Sequence, residues 1–163
     1  LEGLRSIVDS SNAWTSDVLQ AVLYAIASTI KNTSVQKDEL KSTGIVESCL
    51  RILNENDNWT RNDTVVTFAL GILAICEKQS MSITTDHFHG FLPRLIYCMK
   101  NFGNNLQIIS FVLTLLESMS ENLHKEKMEA SGVLEATSAL LKSDTICGKT
   151  KDRVRYIMRK VIS

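Results

Sequence analysis

Glycine recurs along this chain at nearly constant intervals, each time directly before an apolar segment. The separations between Gly3, Gly44, Gly90 and Gly132 are 41, 46 and 42 residues. A period of about forty residues is typical of helical repeat proteins, in which each unit buries its apolar surface against neighbouring units. The spacing therefore predicts an all-α chain that forms a single repeat domain over residues 1–163, with about four units.

The segment that follows Gly44 has apolar residues at i, i+3, i+4 and i+7, the stripe of an amphipathic helix. Similar stripes cover residues 91–99 and 133–141. We interpret these three segments as the second helix of each unit. The stripe after Gly44 consists of Val46, Cys49, Leu50 and Leu53.

Two further kinds of segment complete each predicted unit. A longer and more apolar third helix is predicted over residues 17–30, 63–77, 105–120 and 149–162, and a short polar first helix over residues 34–42, 82–89 and 123–131. The chain begins inside a second helix, so the first unit is incomplete. We expect the chain to be a fragment of a longer protein with further repeats on either side.

The charge balance narrows the classes of partner. Eighteen basic and eighteen acidic residues give a formal net charge of zero, which provides no overall field to attract nucleic acid or an anionic membrane. The longest apolar stretches, residues 18–30 and 65–76, are shorter than the roughly 20 residues that a membrane-spanning helix needs. We therefore expect a protein partner, with no membrane and with nucleic acid unlikely.

The cysteines indicate in which cellular compartment the protein is expected. Cys49, Cys76 and Cys98 lie within apolar helical segments, as reduced and buried thiols usually do, and no secretory signal opens the chain. The expectation is an intracellular protein, cytoplasmic or nuclear. Asn-x-Ser/Thr triplets at Asn32, Asn58 and Asn62 leave secretion as the alternative.

The glycine motifs resemble those of the armadillo repeat family. Residues 42–46 (STGIV), 89–93 (HGFLP) and 130–134 (ASGVL) look like the family's Ala-Gly-hydrophobic start of the second helix, and Pro93 stands where the family tolerates proline, in a first helical turn. The resemblance covers essentially the whole chain. It implies a right-handed α-solenoid of three-helix repeats and a non-enzymatic scaffold or adaptor. HEAT repeats are the nearest architectural alternative.

The resemblance also suggests a binding surface on the concave side, which the third helices form. Residues 24–28 and 68–72 look like the family pattern of an aromatic residue, Ala-Leu, and a position often held by asparagine. That position is Ser28, Ile72, Leu116 and Met158 here, and without asparagine the groove suits an amphipathic helix or an apolar peptide. The predicted groove residues are Tyr24, Ser28, Phe68, Ile72 and Leu116.

The C-terminal segment is locally basic. Lys151, Arg155 and Arg159 are spaced four residues apart, so they share one face of a helix while Val154, Ile157, Met158 and Val161 pack inward. We expect this ridge to contribute to partner binding at the C-terminal end of the groove, through acidic or phosphorylated groups. A merely solvated helix surface is the alternative, and nucleic acid is a less favoured ligand.

No catalytic arrangement is recognisable in the sequence. The densest set of potential metal ligands, Asp86, His87 and His89, has nothing nearby to complete a site, so solvated histidines are the favoured interpretation. We expect no enzymatic activity, no cofactor and no metal. Trp14 and Trp59 stand at equivalent joints, as packing residues or partner anchors. The alternative to the adaptor is a structural or self-associating part of a larger solenoid.

Overall fold

The computed structural model describes residues 15–32, 43–55, 62–78, 88–121 and 125–163. Within these ranges the chain is all-helical, as predicted, and contains no strand. None of the described helices is both long and apolar enough to span a membrane. The described ranges contain eight α-helices: α1 (Ser16–Asn32), α2 (Ile45–Glu55), α3 (Asp63–Lys78), α4 (Phe88–Asn101), α5 (Leu106–Glu121), α6 (Lys125–Ala130), α7 (Val133–Lys142) and α8 (Gly148–Ile162).

Within the described ranges, each predicted second and third helix is found, with ends no more than three residues from those expected from the apolar pattern. The second helix in which the chain was predicted to begin lies outside the described residues. Of the predicted first helices, the one over residues 123–131 corresponds to α6. The first helix predicted over residues 34–42 lies outside the described residues, as do Gly3, Trp14 and Trp59. Residues 82–87 lie outside them too, and the last two residues of that predicted helix belong to α4.

Two of the four repeated glycines have a clear conformational role. Gly44 and Gly132 adopt left-handed backbone angles, with φ of 64° and 88°, directly before α2 and α7. A side chain disfavours that conformation, so glycine is the natural residue for the turn. Gly90 differs, because it lies inside α4 as its third residue. Pro93 is consequently the sixth residue of α4 and not part of its first turn, which corrects the sequence prediction.

A second periodic feature marks the starts of the third helices. The Asn62 Oδ1 accepts hydrogen bonds of 3.1 Å from the N–H groups of Thr64 and Val65. The Asn105 Oδ1 accepts bonds of 3.2 Å from the second and third residues of α5 in the same way. These side chains satisfy N–H groups that have no partner inside the helix. Cys147 is the corresponding N-cap of α8, 42 residues after Asn105.

The described helices divide into two compact units, one containing α1 to α3 and the other α4 to α8. In the first unit α3 packs against both α1 and α2. In the second unit α4 packs on α5 and α7 on α8, while α4 also contacts α7 and α5 contacts α8. Third helices therefore pack on each other within each unit, and in the second unit the two second helices, α4 and α7, also pack on each other.

Candidate functional site

The third helices, α1, α3, α5 and α8, can be compared position by position because each begins directly after its N-cap. Their fourth, eighth, eleventh and fifteenth residues lie on one side of the helix, and we call them the stacking positions. In α1 all four are buried, and in α3 and α5 they are buried except for the half-buried Glu77. In α1 they are Leu19, Leu23, Ile26 and Ile30; in α5 they are Ile109, Leu113, Leu116 and Ser120.

Two of the predicted groove residues belong to the core. Ile72 and Leu116 have a relative exposure of 0%. Leu116 is at a stacking position of α5, and Ile72 is the tenth residue of α3 and is buried on another side of that helix. Their prediction as groove residues is therefore wrong in the structure, because a fully covered side chain offers no surface to a partner.

Tyr24 and Phe68 do reach the surface, and they touch each other. Tyr24 is the ninth residue of α1 and is 61% exposed, while Phe68 is the sixth residue of α3 and half-buried. Their rings meet edge to face, with centroids 5.8 Å apart and planes at 72°. Edge-to-face pairing of this kind is favourable beyond the area it buries, so it holds the exposed tyrosine in place. Ser28, one turn further along α1, is half-buried.

In the second unit the ninth position of one third helix again contacts the sixth position of the next, but through hydrogen bonds and not through aromatic rings. Arg153 is the sixth residue of α8, and its Nη2 donates a 2.9 Å hydrogen bond to the Oγ1 of Thr114, the ninth residue of α5. Its Nε and Nη2 each donate a 2.7 Å hydrogen bond to the Glu117 carboxylate. A third nitrogen, Nη1, lies 3.3 Å from the carbonyl oxygen of Ser110. Arg153 is therefore committed to α5 and does not add free charge to the basic segment.

Two neighbours of Arg153 extend this contact along α8. Tyr156 donates a 3.0 Å hydrogen bond to the Glu121 carboxylate, and that bond raises the pKa of the Tyr156 phenol. Lys160 places its Nζ 5.7 Å from the centre of the Tyr156 ring. Tyrosine thus occupies the ninth position of α8, as it does in α1. The role of Arg153 was not predicted from the sequence. An alignment of α5 with α8 that starts at the N-caps Asn105 and Cys147 would have indicated that Arg153 faces the polar side of α5.

The basic ridge lies at and beside the stacking positions of α8. Lys151 is half-buried, and Arg155 and Arg159 are exposed. Arg155 pairs with Asp152 at 2.7 Å on the same helix. Lys151 and Arg155 are the fourth and eighth residues of α8, which are stacking positions, whereas Tyr24 and Phe68 are at the ninth and sixth positions. The ridge therefore lies at helix positions different from those of Tyr24 and Phe68, and its role in partner binding stays a prediction.

The cysteines fall into two classes. Cys49, Cys76 and Cys98 are buried, and burial raises the pKa of each thiol, to about 12 for Cys76 and Cys98. Cys147 is exposed at the start of α8, with its Sγ 3.5 Å from the Thr150 Oγ1. Hydrogen bonding from Thr150 lowers the pKa of the Cys147 thiol.

The three residues considered as metal ligands in the sequence lie largely outside the part of the chain that the structure describes. Asp86 and His87 lie outside the described residues, as does the side chain of His89. Within the described part of the chain, no group of three or more His, Cys, Asp and Glu side chains is arranged to hold a metal ion.

Comparison with known proteins adds no assignment. No family model matches this sequence, and a search of the curated proteins found no match.

Proposed function

We propose that this chain is part of a right-handed α-solenoid of armadillo-type repeats, and that it acts as a non-enzymatic scaffold for an intracellular protein partner. The proposal of repeats is supported by the packing of like helices on each other within each unit. It is also supported by the N-caps at Asn62, Asn105 and Cys147, which recur at intervals of 43 and 42 residues. HEAT-type repeats are the architectural alternative.

In each unit, taken by itself, we propose a partner surface at the sixth, ninth and thirteenth positions of its third helices. In the first unit these positions provide Phe68, Tyr24 and Ser28, and in the second Arg153, Tyr156 and Lys160. They combine aromatic rings with polar groups on helices that are fixed by packing. Tyrosine is enriched among the residues that dominate binding energy at protein interfaces. We propose that the ligand is a peptide or an amphipathic helix of another protein.

The exposure of Tyr24 is the observation that carries this proposal. Single exposed apolar residues are common on protein surfaces and need no function, as Val18 on the same helix illustrates with 39% exposure. Tyr24 differs because its ring is both 61% exposed and held by Phe68. An aromatic side chain that is already ordered loses little conformational entropy when a partner binds. That is the physical requirement for an interface anchor.

A comparative pulldown tests the proposal. Wild-type chain, Tyr24→Ser and the matched control Val18→Ser are incubated with cytoplasmic and nuclear extracts, after circular dichroism has shown equal helicity. We expect a protein that is retained by the wild type and by Val18→Ser and is lost with Tyr24→Ser. Retention by all three variants would contradict the proposal. Light scattering on the same samples would identify self-association, if the wild type is a dimer and Tyr24→Ser a monomer.

A further inference from the structure

The stacking positions of α8 differ in chemistry from those of the other third helices. In α1 they are occupied by leucine and isoleucine with exposures of 0 to 1%. In α8 they are Lys151, Arg155, Met158 and Ile162, and Arg159 lies on the same side as the twelfth residue. Ile162 is 66% exposed, and Met158 is half-buried. We call these five residues the outer face of α8.

The core of the second unit is contacted by another side of α8, next to the outer face. Val154, Ile157 and Val161 are buried, with exposures of 0 to 3%. α8 packs on α5, α6 and α7, so its packing requirement is already met by that side. The outer face therefore combines a narrow apolar centre, formed by Met158 and Ile162, with a row of three cations.

The charges on the outer face are poorly neutralised. Asp152 pairs with Arg155, but both side chains are more than half exposed, and such pairs contribute little. Lys151 and Arg159 have no ion-pair partner within the part of the chain that the structure describes. Cations spaced four residues apart on one helix repel each other, so an incoming row of carboxylates would remove an unfavourable interaction as well as create a favourable one.

We propose that the outer face of α8 binds an acidic amphipathic helix of a partner protein. From Lys151 to Ile162 the face extends roughly 16 Å, about three helical turns. A partner helix of that length would place apolar side chains on Met158 and Ile162, and carboxylates spaced by one turn beside Lys151, Arg155 and Arg159.

The positive charge of the outer face favours an acidic helix over the other molecules that could cover it. Two copies of the chain joined through this face would bring equal rows of cations together, which is unfavourable. Two apolar side chains are also a small area for insertion into a lipid surface.

The test uses the full 163-residue chain and a synthetic peptide. The probe is a fluorescent helix of about 18 residues with leucine on one side and glutamate along both flanks, and the control peptide has lysine in place of every glutamate. The fluorescence anisotropy of the acidic peptide should increase when the chain is added, and that of the lysine control peptide should not. Arg155→Glu with Arg159→Glu should weaken binding by about tenfold or more.

A control substitution distinguishes binding at the outer face from non-specific attraction to the charge of the whole chain. Lys142→Glu changes a lysine at the end of α7, outside the outer face. It should alter the affinity by less than about twofold, while Ile162→Asn should weaken binding measurably. Circular dichroism on each variant verifies that the helices are retained.

Three outcomes would overturn the proposal. The acidic peptide does not bind at about 1 mM; Lys142→Glu weakens it as much as Arg155→Glu does; or vesicles with phosphatidylserine bind through Arg155 and Arg159 while the peptide does not. The proposal does not depend on the Tyr24 surface. Tyr24→Ser should leave peptide binding unchanged, so failure of either proposal can be recognised separately.

Discussion

Arg153 and Glu117 join α8 to α5 through two hydrogen bonds of 2.7 Å between a guanidinium and a carboxylate. Both side chains are about three-quarters covered, with exposures of 27% and 26%. Two parallel bonds of this kind fix orientation as well as contributing energy, and partial burial reduces screening by salt. The pair is therefore a main polar contact between the two third helices of the second unit.

Removal of this pair should destabilise the second unit. We expect Arg153→Met and Glu117→Gln each to lower the free energy of unfolding by about 1–2 kcal/mol. The double variant should lose less than the sum of the two, because either single change already breaks the contact. Urea unfolding followed by circular dichroism measures all three. Strictly additive losses would show that the two side chains do not act together.

The left-handed turn at Gly132 predicts a contrast between two glycines. Its φ of 88° disfavours any side chain, so Gly132→Ala should cost about 1–2 kcal/mol, although a Cβ there would meet only Glu135 at 3.9 Å. Gly148, the first residue of α8, has no positive φ, and a Cβ added there would meet no atom within 4 Å. Gly148→Ala should therefore be neutral or stabilise by about 0.5 kcal/mol. Thermal unfolding of both variants checks the contrast, and equal effects would contradict it.

Asn62 has two separable roles at the start of α3. Its Oδ1 caps the helix, and its Nδ2 donates a hydrogen bond to the Ser16 Oγ at the start of α1. Asn62→Ala removes both and should cost about 1–2 kcal/mol. Asn62→Asp keeps the capping oxygen and removes only the donor, so it should cost less. Chemical unfolding of the two variants measures the difference; a larger loss with aspartate would argue against the capping role.

The four thiols should differ sharply in reactivity. Cys147 is exposed and its pKa is lowered, whereas burial raises the pKa of the other three and keeps them protonated near neutral pH. A disulfide reagent should therefore modify one thiol rapidly in the native chain and all four after unfolding. The thiolate fraction increases as pH rises through the pKa, so the rise for Cys147 should begin at lower pH than for an ordinary thiol.

Two variants make the thiol prediction specific. Cys147→Ser should abolish the fast reaction. Thr150→Val removes the hydroxyl that lowers the pKa, and so should shift the pH dependence of the remaining fast reaction upward. A second thiol that reacts as quickly in the native wild type would contradict the burial of Cys49, Cys76 and Cys98.

The helices could be predicted from the sequence because apolar periodicity is a local property. The stripe from Val46 to Leu53 requires a helix wherever the rest of the chain lies, and α2 begins directly after Gly44 as expected. The start of α4 was harder to predict, because Gly90 and Pro93 are also tolerated inside a helix at some cost. The glycine pattern alone does not distinguish a turn from a helical residue.

The candidate surface could be predicted only in part, because it depends on which side of each helix is covered. Tyr24 and Phe68 were interpreted as equivalent residues of successive repeats, but they occupy the ninth and sixth positions and face each other. That error shifted the predicted groove onto the buried residues Ile72 and Leu116. Capping side chains such as Asn62 define the register better than aromatic residues do, since they mark a helix start directly.

The junction between adjacent third helices is aromatic at Tyr24 and Phe68 and ionic at Arg153 and Glu117. Added salt screens an ion pair, whereas salts that are excluded from the protein surface strengthen the burial of apolar groups. The two units should consequently respond to ammonium sulfate in opposite senses at this junction. Solvent composition would then decide which half of the chain opens first, because contacts of different chemistry at equivalent helix positions give each half its own sensitivity to salt.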